Sequence, residues 1–222
     1  MSQELSTIID FIRYGASRFN AAGLSFGHSY DNALDEATQL VLHALHLPHD
    51  LSPAYGQAKL LHEEKDRVLA LFQRRIDERV PACYLTGEAW FAGLSFKTDH
   101  RALVPRSPIA ELIETSFEPW AGGRKIQRVL DMCTGSGCIA IALAYAFPEA
   151  EVDATDISKE ALEVAQINTE HHDKQYQIAL LESDLFEKIP AENQYDLIVS
   201  NPPYVDSEDM ADLPEEFHHE PE

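Results

Sequence analysis

From Ile126 onward the chain switches between two hydrophobic rhythms, and that switching restricts its fold more than any other feature. "IQRVLDM" (126–132), "EVDATD" (151–156), "YQIALLES" (176–183) and "YDLIVS" (195–200) are short apolar runs of strand character. Between the first three lie "GCIAIALAYAF" (137–147), a helical run stopped by Pro148, and "SKEALEVAQINTEHH" (158–172), a second helical run. Strand and helix in alternation predict a mainly parallel sheet flanked by helices, an α/β fold. Such a sheet takes its ligands at the carboxyl ends of the strands, near the point where the strand order reverses.

The preceding sequence reads differently. Leu5, Ile8, Ile9, Ile12, Ala16 and Phe19 recur at helical spacing, as do Leu34, Ala37, Val41 and Leu45, and then Val68, Leu69, Phe72, Ile76 and Val80. We expect a small helical bundle over 1–84, a β-hairpin linker over 85–108 in "YLTGEAWFAGLSFKTDHRALVPRSP" (84–108), and the α/β domain over 109–222. Cys83, Cys133 and Cys138 are odd in number and lack ligand spacing, so free buried thiols are expected and no metal site. No apolar run reaches the roughly 18 residues of a membrane span, and "MSQELSTIIDFIRYG" does not resemble a secretory signal, so we read a cytoplasmic chain.

Charge narrows the partner. With 17 Lys and Arg against 38 Asp and Glu, the formal net charge is −21. Residues 121–222 hold 6 of the basic and 22 of the acidic groups. That field repels nucleic-acid phosphates, which makes direct nucleic-acid binding an unfavourable reading, and it suits a basic protein partner.

Three strand ends carry the equipment of a ligand site. "DMCTGSGCIA" closes a strand with Asp131, turns through Gly135 and Gly137, and opens a helix. It lacks the third glycine of a dinucleotide fingerprint, so a cofactor loop and a plain tight turn both stay open. Asp156 ends the next strand and is placed to accept hydrogen bonds from ribose hydroxyls; Asp184 follows the third, in reach of a purine amine. Any one acid alone reads equally as a helix cap.

The fourth strand stops at Asn201-Pro202-Pro203-Tyr204. Asn201 offers a side-chain carbonyl and Pro202 a backbone carbonyl, and each proline restrains the residue before it. Two rigid acceptors match a planar amine or amide with two N–H donors, and Tyr204 can lie on its flat face. A strand ended by a Pro-Pro turn with a packed tyrosine is the bland alternative.

Asp-x-x-x-Gly-x-Gly, acids at the next two strand ends, and Asn-Pro-Pro-Tyr resemble the seven-stranded, Rossmann-like S-adenosylmethionine-dependent methyltransferases that act on planar nitrogens. The helical segment with "YLTGEAWFAGLSF" and "VPRSPIAELI" is similar to the protein glutamine methyltransferases, and to the branch that modifies large-subunit ribosomal protein three. The release-factor branch usually has Gly where Cys133 stands. By this resemblance Asp131, Cys133, Thr134, Gly135, Ser136, Gly137, Asp156, Asp184, Leu185 and Asn201 bind the cofactor. Asn201, Pro202, Pro203 and Tyr204 take the substrate, with Asn201, Pro202 and Tyr204 catalytic, and the bundle grips the protein substrate. S-adenosylhomocysteine is the expected product. The resemblance also implies strands beyond Glu222, so only about four of seven are expected here, with poor activity as a consequence.

Overall fold

The structure, a computed structural model, describes residues 4–28, 30–203 and 213–221. The chain divides into two compact units, Met1–Gly87 with Asp212–His219, and Glu88–Ala211 with Glu220–Glu222.

The first unit is helical, with α1 (Ile8–Ala21), α2 (Ala33–Ala44), α3 (His62–Asp77) and α4 (Ala82–Thr86). Thr7 and Asp10 form a reciprocal cap on α1, and two backbone N–H groups hold the Asp10 carboxyl down at about 2. Phe11, Phe19, Leu40, Val41, Val68 and Phe72 fill the core. Gly15 is required on α1 because a Cβ there would lie 2.5 Å from the Phe72 ring. This core also contains charge. Arg75 has no exposed surface; its Nε donates to Glu36 at 2.7 Å, its Nη1 to Glu216 at 3.2 Å and its Nη2 to the Ser25 carbonyl at 2.9 Å. Glu216 lies on a 3-10 turn, Glu215–His219, and also accepts from Ser25 N–H and Arg79.

The second unit opens with an antiparallel hairpin, β1 (Glu88–Phe91) and β2 (Leu94–Lys97), and a short helix α5 (Ile109–Glu114). The α/β part follows: β3 (Arg128–Met132), α6 (Cys138–Ala146), β4 (Glu151–Asp156), α7 (Lys159–His171), β5 (Ile178–Glu182) and β6 (Leu197–Ser200). The four strands are parallel in the order β5-β4-β3-β6. Residues 183–196 cross from β5 to β6 without a helix, as the sequence reading, with helices only between the first three strands, has it. α6 is apolar on every face and is buried from Cys138 to Ala144, as a helix covering the middle of a sheet must be.

Strand order places the ligand crevice. The chain steps outward from β3 through β4 to β5, then returns to pair β6 on the other side of β3. Asp131 lies in register with Ala154 on one side and Val199 on the other, so the carboxyl ends of β3 and β6 flank the reversal. No described helix is long and apolar enough to cross a membrane.

Candidate active site

The glycine turn after β3 is built to bring backbone close. Cys133 sits at φ 60°, a left-handed conformation that costs a residue with a Cβ roughly 1–2 kcal/mol. Gly135 and Gly137 turn at φ 55° and 79°. A Cβ on Gly137 would meet the Cβ of Ala165 on α7 at 3.1 Å, so this glycine serves both the turn and close helix packing. The turn is fastened from behind. Thr134 N–H donates to the Thr155 carbonyl at 2.9 Å. Asn168 of α7 is fully buried; it accepts from Lys97 N–H at 2.7 Å and donates to the Lys97 and Ser136 carbonyls, each at 2.9 Å. One side chain therefore ties β2, α7 and the glycine turn together. Sequence reading missed Asn168, since a single polar residue inside a helical run carries no local signal.

The three acids differ in environment. Asp131 is fully buried; its Oδ2 accepts from Thr134 Oγ1 at 2.5 Å and from Ala140 N–H at 3.0 Å. Its Oδ1 has no hydrogen-bond partner among the described residues. Burial pushes this carboxyl up to about 7 against the pull of those two donors, with the Asp156 charge adding to the rise. Asp156 holds two backbone N–H groups, Gly135 on Oδ2 at 2.8 Å and Ser158 on Oδ1 at 2.9 Å. A carboxylate has about four lone-pair sites, so two remain for a ligand. The Asp184–Leu185 turn is held by Ser183, whose Oγ donates to the Leu185 carbonyl and accepts from Lys188 N–H, both at 3.0 Å.

β6 delivers the last piece. Ser200 Oγ donates to the Met132 carbonyl at 2.9 Å, locking the ends of β6 and β3 together. Asn201 follows, half-buried, with Nδ2 aimed at the Arg106 carbonyl at 3.5 Å. Pro202 and Pro203 are exposed, and Tyr204 lies outside the described residues.

Cys133, Gly135, Asp156, Asp184, Leu185 and Asn201 line one cleft of about 200 Å³, and Pro203 reaches it too. Asp131, Thr134, Ser136 and Gly137 stand behind that lining as its support, and Pro202 does not border it. His219 Nε2 donates to the Glu78 carbonyl at the C-terminal end of α3, at 2.9 Å, within the helical unit.

Residues 115–220 match the family model described as "Methyltransferase small domain". The ribosomal protein uL3 glutamine methyltransferase of Xanthomonas campestris is 68% identical over 223 residues, covering all of this chain and 71% of that protein. Its counterpart from Bordetella pertussis is 53% identical over 220 residues, 99% of this chain and 74% of the relative. The chain belongs to the ribosomal protein uL3 glutamine methyltransferase family. Among solved structures, the T. thermophilus 16S rRNA methyltransferase in complex with AdoMet and guanosine aligns with a TM-score of 0.42 at 24% identity, over 53% of this chain and 32% of that one.

The cleft of this uL3 glutamine methyltransferase relative suits a sulfonium nucleoside on its own terms. A buried carboxyl with one unmatched oxygen, Asp131, lies behind a turn of close-approach glycines. Asp156 keeps two lone pairs beyond its backbone hydrogen bonds. Ile157, 70% exposed, and Leu185, 54% exposed, give the cleft apolar walls. No group of three or more His, Cys, Asp or Glu among the described residues is arranged to hold a metal ion.

Proposed function

We propose that the chain transfers a methyl group from S-adenosylmethionine to the side-chain amide nitrogen of a glutamine in ribosomal protein uL3. One observation carries the site assignment: strand order brings Asn201, at the end of β6, into the same cleft as the β3 glycine turn and Asp156. Asp156 takes the ribose hydroxyls, Asp184 and Leu185 border the adenine, and the Cys133–Gly137 turn with Asp131 holds the amino acid portion.

The bound cofactor supplies a sulfonium methyl; transfer breaks its C–S bond with the electron pair left on sulfur, forms a C–N bond, and releases one amide proton to solvent. The chain's own task is to make a poor nucleophile react. An amide nitrogen shares its lone pair with the carbonyl, a resonance worth a rotation barrier of roughly 18–20 kcal/mol. Asn201 Oδ1 and the Pro202 carbonyl each accept one amide N–H, which orients the nitrogen and favours its partly positive form in the transition state. The prolines fix both acceptors before substrate arrives, so little ordering remains to be done at the reactive moment.

Net charge −21 repels a DNA duplex and attracts a basic ribosomal protein, and we read the reaction as cytoplasmic. The helical unit binds that protein; its cavity of about 220 Å³, lined by Tyr14, Leu69 and Phe72 among others, is where Tyr14→Ala should raise KM for uL3 and leave cofactor affinity unchanged. The direct test offers labelled S-adenosylmethionine with uL3, a peptide release factor and duplex DNA in parallel. Label on uL3, reduced about a hundred- to a thousandfold by Asn201→Ala, supports the reading. Label on the release factor or DNA instead moves the substrate class, and cofactor binding without any label refutes turnover.

A further inference from the structure

An asparagine side chain presents a carbonyl and an amino group of nearly the same shape, and only its hydrogen bonds decide which faces a ligand. For Asn201 to accept a proton, some group must occupy its Nδ2. The Arg106 carbonyl, 3.5 Å away, is the acceptor that Nδ2 faces. That contact is long, so it sets direction more than it adds energy. The segment that carries it, residues 103–107, belongs to no helix or strand, so no backbone ladder holds the carbonyl in place.

Glu220 supplies one side-chain restraint on that segment. Its Oε2 accepts from Arg106 Nη2 at 2.8 Å, across 114 residues of sequence, with the glutamate side chain only 5% exposed. Burial raises the Glu220 carboxyl above its ordinary value, with the Arg106 charge and the Val104 N–H acting the other way. A glutamate buried against an irregular segment is a costly way to pack a loop, because burying charge is unfavourable unless a specific partner offsets it. We infer that Glu220 is a positioning residue for methyl transfer: by holding Arg106 it fixes the carbonyl that turns the Asn201 amide so that Oδ1 faces the substrate. The inference rests on the function proposed above, and it deepens that reading.

The test uses the full chain with Glu220→Ala, Glu220→Gln, Asn201→Ala and the double variant Glu220→Ala/Asn201→Ala. Glu220→Ala should lower kcat about tenfold or more and leave KM for uL3 within about twofold, the mark of an interaction used in the transition state. Glu220→Gln retains an acceptor for Arg106 and should recover most of that loss. The double variant should be no slower than Asn201→Ala alone, since residues acting through one group are not additive. Additive losses, or a loss that appears in KM, overturn the inference. A second readout needs no turnover. The two Nδ2 proton signals of Asn201, assigned by their absence in Asn201→Ala, should shift in both Glu220 variants, more in Ala than in Gln. Unmoved signals in folded Glu220→Ala refute the inference whatever the activity. Shifted signals in a protein that methylates none of the offered substrates leave the positioning role standing and refute the proposed function.

Discussion

Buried charge is handled in opposite ways by the two units. In the helical unit, Arg75 engages Glu36, Glu216 and a backbone carbonyl, and Glu216 in turn accepts from Ser25 and Arg79. Each member is matched by another within the same unit. In the sheet unit, Asp131 at the end of β3 keeps one buried oxygen without a hydrogen-bond partner among the described residues. Matched charge selects one packing of helices, whereas an unmatched oxygen at a strand end is an acceptor held in reserve. Buried carboxyls are thus fully matched in one unit and left with a spare acceptor in the other, and the difference is legible in hydrogen bonds, not in burial.

Removing one side of the matched cluster should have the largest effect. Arg75→Met strands two buried glutamates and should cost about 3–5 kcal/mol in a denaturant titration, while cofactor affinity of the folded fraction stays unchanged. A parallel loss of cofactor affinity would break the comparison. Asp156→Asn should act in reverse, weakening cofactor binding by calorimetry about tenfold to a hundredfold with a smaller change in stability, since charge-assisted bonds contribute about 1.5–3 kcal/mol. Gly137→Ala forces a left-handed Cβ to within 3.1 Å of Ala165 and should cost about 1–3 kcal/mol of stability, read as a lowered Tm.

Asp131 gives a pH signature. Its folded-state carboxyl titrates near 7 and the unfolded one near 3.8, so the native state holds a proton that the unfolded state releases between those values. That contribution is fully present below pH 3.8 and is lost as pH rises to about 7. In cofactor-free protein, the Tm difference between wild type and Asp131→Asn should therefore move against wild type from pH 5 to pH 8. A constant difference would mean that Asp131 is charged throughout. The smallest effect belongs to Cys133→Gly, where relief of about 1 kcal/mol of left-handed strain is partly offset by the freer unfolded chain.

Local pattern carried the architecture far. The strands and helices after Ile126 fall where period and punctuation put them, and the strand ends nominated Asp156, Asp184 and Asn201, which the fold gathers into one cleft. What stayed hidden is non-local. Asn168 reaching Ser136 and Lys97, Glu220 reaching Arg106, and Asp156 holding Gly135 all join residues whose neighbours in sequence give no hint of the partner. The short helix Ile109–Glu114 was also illegible, because six residues give too little periodicity to separate it from the linker.

The strand order has a consequence in time. During synthesis, β3, β4 and β5 emerge first, and they already hold the glycine turn and Asp156. A nascent chain that has reached Glu182 contains the glycine turn and Asp156 but not Asn201. Asn201 follows Leu197–Ser200, the strand that pairs with β3, so on the function proposed above the residues assigned to the methyl donor are made before the residue assigned to the amide.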